Sequence, residues 1–277
     1  MTDGTYFICL VSYILLLSSK LKSKGVNKKL GIQNYAGLRA TTDIVILTTE
    51  NQELKNERSV PTKGIQVLLV KRDEEPFSDT WTLPGGFIGH DIAISDCVNN
   101  KLLQKTGVSG IYTEQLYTYG DNLERDPRDR VITVAYIALV SKSMLNIQEC
   151  HGDKETKWFW VNAERNSDGK VVSMEITDEV TGEKVDKLGF DHYEIIADAI
   201  TRLANKLMYT DIGFHLVDKN FTIKELQMAY EAILGKPIAG FRRIIGDKVE
   251  ETGQNTSQTR EKPELHRPAK LYTKKIK

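Results

Sequence analysis

The chain is poor in cysteine and carries no excess of charge of either sign. Its three cysteines in 277 residues, Cys9, Cys97 and Cys150, stand far apart and lack metal-ligand spacing. That excludes a disulfide-stapled secreted scaffold and a cysteine-built zinc site, and it fits free thiols in a reducing cytoplasm. The 38 Lys/Arg are balanced by 38 Asp/Glu, so net charge does not point to a nucleic-acid partner. An apolar run long enough to span a bilayer, about 20 residues, is also missing. Thr5–Leu16 (TYFICLVSYILL) falls several residues short of it. Only Asp3 is charged ahead of this run, so the basic lead of a secretory signal is absent too. The lysines come after it, at Lys20, Lys22, Lys24, Lys28 and Lys29, and would keep the rest of the chain cytoplasmic if the run did insert. Residues 1–40 stay open to three readings: a segment docked on the body, a weak membrane contact, or sequence added by an upstream start codon. The first and third are preferred, and no stable membrane association is expected.

What is present is ordinary globular material, 40% apolar and 27% charged, enough for one large domain or two modest ones. Asp43–Thr48 and Ile65–Val70 are short β-branched runs and predict strands, with a polar loop between them. Ile94–Lys105 has helical apolar spacing and is stopped by Gly107. Val131–Val140 and Trp158–Val161 predict further strands, and Phe190–Tyr209 a helix. Strand, helix and strand in this order predict an α/β sandwich. The pattern changes after Tyr209. Phe221–Leu234 predicts a helix with a capping box at Thr222 and Glu225, ended by Gly235 and Pro237. Gly240–Ile245 predicts a short basic helix that packs through Phe241, Ile244 and Ile245. Val249–Thr252 and Lys270–Thr273 would pair as a wing. That order is a winged helix-turn-helix, and the local charge is compatible with DNA: from Thr201 to Lys277 there are 15 Lys/Arg against 9 Asp/Glu.

Three strings carry a family resemblance: LLVKR (Leu68–Arg72), WTLPGGF (Trp81–Phe87) and KLLQKTGV (Lys101–Val108). At these separations the segment from Val67 to Val140 resembles the Nudix family. In that family a box of glutamates on one helix face gathers the divalent cations that assist phosphoanhydride cleavage. Laid from Gly86, the spacing of the box closes on Gly107 without a gap. Its acidic chemistry is gone: Ile92 holds the first glutamate position, Asn100 and Lys101 the Arg-Glu pair, Gln104 and Lys105 the last two glutamates. Lys101 and Lys105 share a face and would repel a cation. Asp96 is the only acid in the helix, so no catalytic and no metal-binding residue is assigned.

Further strings, among them Tyr119–Val140, Leu188–Val217, Phe221–Arg243 and HRPAKLY (His266–Tyr272), resemble the Nudix-related transcriptional regulators of the NrtR type. These join a Nudix-like sensor to a winged helix. The resemblance implies an α/β/α Nudix-like sandwich over 41–205 and a winged helix-turn-helix over 206–277. It implies a cytoplasmic homodimer that binds a two-fold operator in double-stranded DNA and responds to a small effector, an ADP-ribose-like nucleotide-sugar or a sugar. No cofactor is implied. Arg72, Arg128 and Arg130 are candidate effector contacts, because guanidinium groups suit phosphate. Arg128 and Arg130 have a competing reading as partners of Asp126 and Asp129. Trp81 is a candidate base-stacking residue or a core residue, and His192 a ligand contact or a local hydrogen-bonding group. Lys224, Arg242, Arg243, His266, Arg267 and Lys270 are the candidate DNA contacts. Two alternatives stand beside this reading: a hydrolase of ADP-ribose or a related nucleoside diphosphate derivative, and a module whose wing binds protein.

Overall fold

The computed structural model describes residues 38–52, 62–145, 155–254 and 269–276. The run 1–37, with its apolar stretch, and the wing residues His266 and Arg267 lie outside them.

The sheet is organised around its first strand. β1 (Arg39–Asn51) is buried along nearly its whole length, from Thr41 to Thr49, as expected of a central strand covered on both faces. It pairs antiparallel with β2 (Lys63–Lys71) and parallel with β6 (Val131–Leu139). β5 (Tyr112–Tyr119) extends the sheet beyond β6. β7 (Thr156–Arg165) and β8 (Val171–Asp178) extend it beyond β2, giving the order β5-β6-β1-β2-β7-β8. Two short strands, β3 (Trp81–Thr82) and β4 (Gly85–Phe87), pair with β2 and β1. β4 needs glycine where it meets β1: a Cβ on Gly85 would stand 2.3 Å from the Thr42 carbonyl oxygen.

The period of two along β1 divides the core. Ile44 and Ile46 pack with Leu68, Val98 and Leu102 on the face covered by helix α1 (Ile94–Thr106). Val45 and Leu47 join Val67, Leu69, Ile137 and Phe159 on the opposite face, with Ile195, Ile196, Ala199, Ile200 and Leu203 of helix α2 (His192–Leu207). α1 ends on Gly107, whose φ of 69° favours glycine and whose N–H closes on Leu103. Of the apolar positions predicted for its buried face, Ile94 and Leu103 are exposed.

After α2 the chain forms a 3₁₀ turn at Ile212–Leu216 and then helix α3 (Ile223–Leu234). Thr222 accepts from the Glu225 N–H at 3.1 Å, and Glu225 accepts from the Thr222 N–H at 2.7 Å. A cap of this kind is worth about 1 kcal/mol. Helix α4 (Phe241–Ile245) follows, then strands β9 (Val249–Gln254) and β10 (Lys270–Lys274), which pair antiparallel. Phe221 and Tyr272 exchange backbone hydrogen bonds of 3.0 and 2.8 Å, tying the wing to the start of α3. The expected helix-helix-wing order is therefore present. One packing expectation is corrected: Ile244 is 41% exposed, while Phe241 and Ile245 are buried. A helix of five residues turns only part of its surface inward, and Phe241 and Ile245, four apart, occupy that stripe.

α3 also packs on β2. Leu226, Ala229, Tyr230 and Ile233, all essentially buried, belong to the same cluster as Val67 and Phe159 of the sheet. The apolar core thus runs without a break from the sheet into the helix-turn-helix. Among the described residues no helix is long and apolar enough to cross a membrane.

Candidate functional site

A cleft of about 340 Å³ opens between the start of β1, the Leu83–Phe87 turn, the last two turns of α1 and the Arg125–Arg128 loop. Six cationic side chains line it, Lys71, Arg72, Lys101, Lys105, Arg125 and Arg128, against the acids Asp43, Glu74 and Asp126. Two of those acids are already committed. Asp43 accepts from the Thr133 hydroxyl at 2.7 Å and lies 3.7 Å from the Arg125 guanidinium. Asp126 accepts from Nε and Nη2 of Arg128 at 2.9 and 2.7 Å. Glu74 is exposed.

Beneath the cleft lies a buried ionic group. Arg125, only 6% exposed, donates from Nε and Nη2 to both oxygens of Asp191 at 2.8 and 2.7 Å. Burial pushes the Asp43 carboxyl up, but the His192 ring, Thr133 and Arg125 outweigh it and hold the group below its ordinary value. Burial alone would lower the Arg125 guanidinium, and the carboxylates of Asp191, Asp43 and Asp126 raise it instead. The His192 ring is itself buried. Its Nδ1 accepts from the Leu83 N–H at 2.9 Å, which puts the ring proton on Nε2, 3.5 Å from Asp43.

Above this group sits Phe190, whose φ of 57° is unusual for a non-glycine residue. Arg72 and Arg128 both lie over its ring, at 5.3 and 5.5 Å from the centroid. Arg128 also lies over Phe87 at 5.2 Å. Arg72 Nε donates to the Pro76 carbonyl at 2.8 Å, while its Nη2 is buried and has no hydrogen-bond partner.

Of the residues expected to contact effector, Arg72, Arg128 and His192 therefore meet at one cleft, His192 from beneath it. Trp81 and Arg130 are not part of its lining. Trp81 packs edge-on against Phe159 at 4.7 Å and 62°, partly buried against the core. Arg130 is turned to the Asn122 carbonyl at 3.5 Å. The competing pairing holds for Arg128, whose guanidinium is bound by Asp126. Sequence reasoning missed Asp43, Arg125 and Phe190, and it singled out Asp191 beside His192 without its Arg125 partner. The ion pair joins residues 66 apart, and no spacing rule links them. The positive φ of Phe190 has no sequence signature.

The cleft does not fit the divalent cation that its spacing frame suggests. Asp43 and Asp126 serve Arg125, Arg128, Thr133 and His192, which leaves Glu74 as the one uncommitted acid among the described residues of the lining, and α1 presents Lys101, Gln104 and Lys105.

In the C-terminal module Arg242 and Arg243 are exposed on α4, and Arg242 donates to the Tyr272 hydroxyl at 3.1 Å. Lys270 on the wing pairs with Glu251 at 2.6 Å. Lys224 is exposed on the first turn of α3 and lines a groove against β7 together with Arg165.

Comparison with known proteins gives two family matches: the NUDIX domain over residues 41–176 and the NrtR DNA-binding winged helix domain over residues 213–273. The chain is 36% identical over 220 residues to the "ADPR responsive transcriptional repressor NtrR" of Acinetobacter baylyi, covering 77% of each. The crystal structure of Shewanella oneidensis NrtR is similar at 33% identity and a TM-score of 0.62, covering 86% of this chain and 94% of that one. Its complex with a 27mer DNA matches at 33% identity and a TM-score of 0.61, covering 85% and 93%. An ADP-ribose pyrophosphatase of Methanocaldococcus jannaschii is 29% identical over 138 residues, covering 49% of this chain and 66% of that protein.

Proposed function

This chain belongs to the NrtR family of Nudix-related transcriptional regulators, and from that premise we propose that it is an ADP-ribose-responsive, operator-binding regulator without Nudix hydrolase activity. The observation that carries the second half is the cleft helix: ammonium and amide groups at Lys101, Gln104 and Lys105 replace the carboxylates that a divalent cation needs. In this reading residues 41–205 form the sensor and 206–277 the DNA-binding module. Arg72 and Arg128, which lie over the Phe190 ring, contact phosphate from where they stand, and Phe87 offers its ring to the rest of the effector. Arg242 and Arg243 contact DNA from α4, Lys224 contacts backbone beside α3, and Lys270 does so from the wing. Because an operator with paired half-sites needs paired readers, the active species is a homodimer. The Acinetobacter relative is named a repressor, and the same sign is proposed here.

The test is binding of the full chain to DNA upstream of its own and neighbouring genes, followed by fluorescence anisotropy at several salt concentrations. A log–log salt slope of several units is expected, with release of the DNA on adding ADP-ribose. A shallow slope, or equal affinity for unrelated DNA, removes the reading as an operator-binding regulator. Robust turnover of ADP-ribose with Mg²⁺ or Mn²⁺ removes the reading as a non-enzyme.

A further inference from the structure

We propose that Lys101 stands where a divalent ion would act: its ammonium binds the diphosphate of the effector directly, so that effector binding needs no metal. The inference rests on the reading of the cleft as an ADP-ribose site and adds how the phosphates are held there.

Position is the first support. A Cβ built on Gly86 would lie 3.4 Å from Lys101 Cε and 3.7 Å from its Nζ. The ammonium therefore lies beside the glycine turn that lines the cleft. Availability is the second. Among the described residues Lys101 is in no hydrogen bond or ion pair, whereas Arg125 and Arg128 are held by carboxylates. A third support is the neighbouring orphan donor. Arg72 is pinned through Nε to the Pro76 carbonyl, yet its buried Nη2 has no partner. An unpaired guanidinium N–H costs free energy until an acceptor arrives.

Charge decides between the possible acceptors. Each phosphate of a diphosphate diester carries a negative charge, and Lys101 with Arg72 supplies a matching pair of cations. A neutral sugar would leave both cations unmatched. A divalent cation would meet an ammonium group where it needs an oxygen ligand. The diphosphate is therefore the class of ligand that fits, and the lysine performs the electrostatic part of a metal's role without its capacity to generate a nucleophile.

The experiment is isothermal titration of the full chain with ADP-ribose and, separately, with inorganic pyrophosphate, in EDTA and in Mg²⁺. Wild-type protein is expected to bind both equally well under the two conditions. Lys101→Met should weaken both ligands by about tenfold to a hundredfold, the usual worth of a charge-assisted hydrogen bond. Lys101→Arg should keep most of the affinity, and the thermal melts of both variants show that each is folded. Dependence of wild-type binding on Mg²⁺, or unchanged affinity in Lys101→Met, overturns the inference. If pyrophosphate binds through Lys101 while ADP-ribose does not bind, the diphosphate clamp stands and the effector assignment falls. If neither binds in EDTA, the clamp falls.

Discussion

Arg165, at the end of β7, donates from Nη2 to the carbonyl oxygen of Ile233 in the last turn of α3 at 2.5 Å. A second bond runs from Nη1 to the Gly169 carbonyl at 3.3 Å, and Nε is buried without a partner. A strand one in from the sheet's edge thus holds the C-terminus of the first helix of the helix-turn-helix, where the helix dipole favours a cation. Burial pulls this guanidinium below its ordinary pKa, and no carboxylate offsets that. The apolar seam beside it is the stronger bond between the two parts. Leu226, Tyr230 and Ile233 are buried there, at roughly 2 kcal/mol each. Separating the parts would cost more than the about 1–3 kcal/mol that typical allosteric coupling supplies. Signal passing between cleft and DNA module is therefore expected to move by a small displacement along this seam.

Replacing Arg165 separates stability from coupling. Arg165→Met removes a desolvated, unpaired cation along with two hydrogen bonds to carbonyls, and the two effects oppose each other. The free energy of unfolding in urea is expected to change by no more than about 1 kcal/mol. The concentration of ADP-ribose needed to release DNA should rise severalfold, because the contact between β7 and the last turn of α3 is gone. A large loss of stability with unchanged coupling would show that Arg165 is only a structural cap.

The opposite balance holds for Arg125. It is almost completely buried and satisfies Asp191 in bidentate geometry. Arg125→Met leaves Asp191 and Asp43 without their cation, a change that typically costs about 3–5 kcal/mol. Equilibrium urea unfolding of the variant should register that loss. Arg125→Lys should recover only part of it, since an ammonium cannot reproduce the two-pronged contact.

These pairs also set the response to acid. Burial raises the Asp43 and Asp126 carboxyls, but their cationic and hydrogen-bonding partners outweigh it and keep both below the ordinary value of 3.8. Asp211, held by Lys248 and Lys274, behaves likewise. A depressed folded-state pKa means that the unfolded chain takes up the proton first as pH falls. The stabilisation is therefore complete above the unfolded carboxylate pKa and is lost as pH drops through the folded values. Urea midpoints should be level from neutral pH down to about 5 and then fall steeply below about 4. A midpoint that declines already between pH 7 and 5 would point away from these carboxylates.

Much of this architecture was legible in the chain itself, and the boundary of legibility is physical. The glycine frame from Gly86 to Gly107 and the capping box at Thr222 are local patterns, and both appear with the expected geometry. β5 and β8 were not recognised. β5 buries one of its eight side chains and β8 three, so neither shows the apolar run that marks β1, β2 and β6. The ionic group under the cleft was invisible for another reason. Asp43, Arg125 and Asp191 belong to three distant segments that only the closed fold brings together. Charge loss on α1 could be read directly, because Lys101, Gln104 and Lys105 stand at glutamate positions of one helix at fixed spacing. The unbroken core between sheet and helix-turn-helix could not be, since the grammar of the sequence changes at Tyr209 while the packing does not.

Arg242 gives the sharpest test on the DNA side. Its Nη2 is held by the Tyr272 hydroxyl at 3.1 Å, so the guanidinium is oriented by the wing while remaining exposed on α4. Arg243, its neighbour, is exposed and not oriented in this way. A pre-positioned cation loses less freedom on binding, so Arg242→Ala should weaken operator binding more than Arg243→Ala. If Arg242 meets a phosphate, the salt slope should fall by about 1 unit and affinity should drop similarly for all sequences. If it meets a guanine edge, the loss should be about 1–3 kcal/mol on the operator and small on unrelated DNA. Tyr272→Phe, which keeps the ring in the core and removes only the tether, should reproduce part of the Arg242→Ala defect. Unchanged DNA affinity in both variants would take α4 out of the interface.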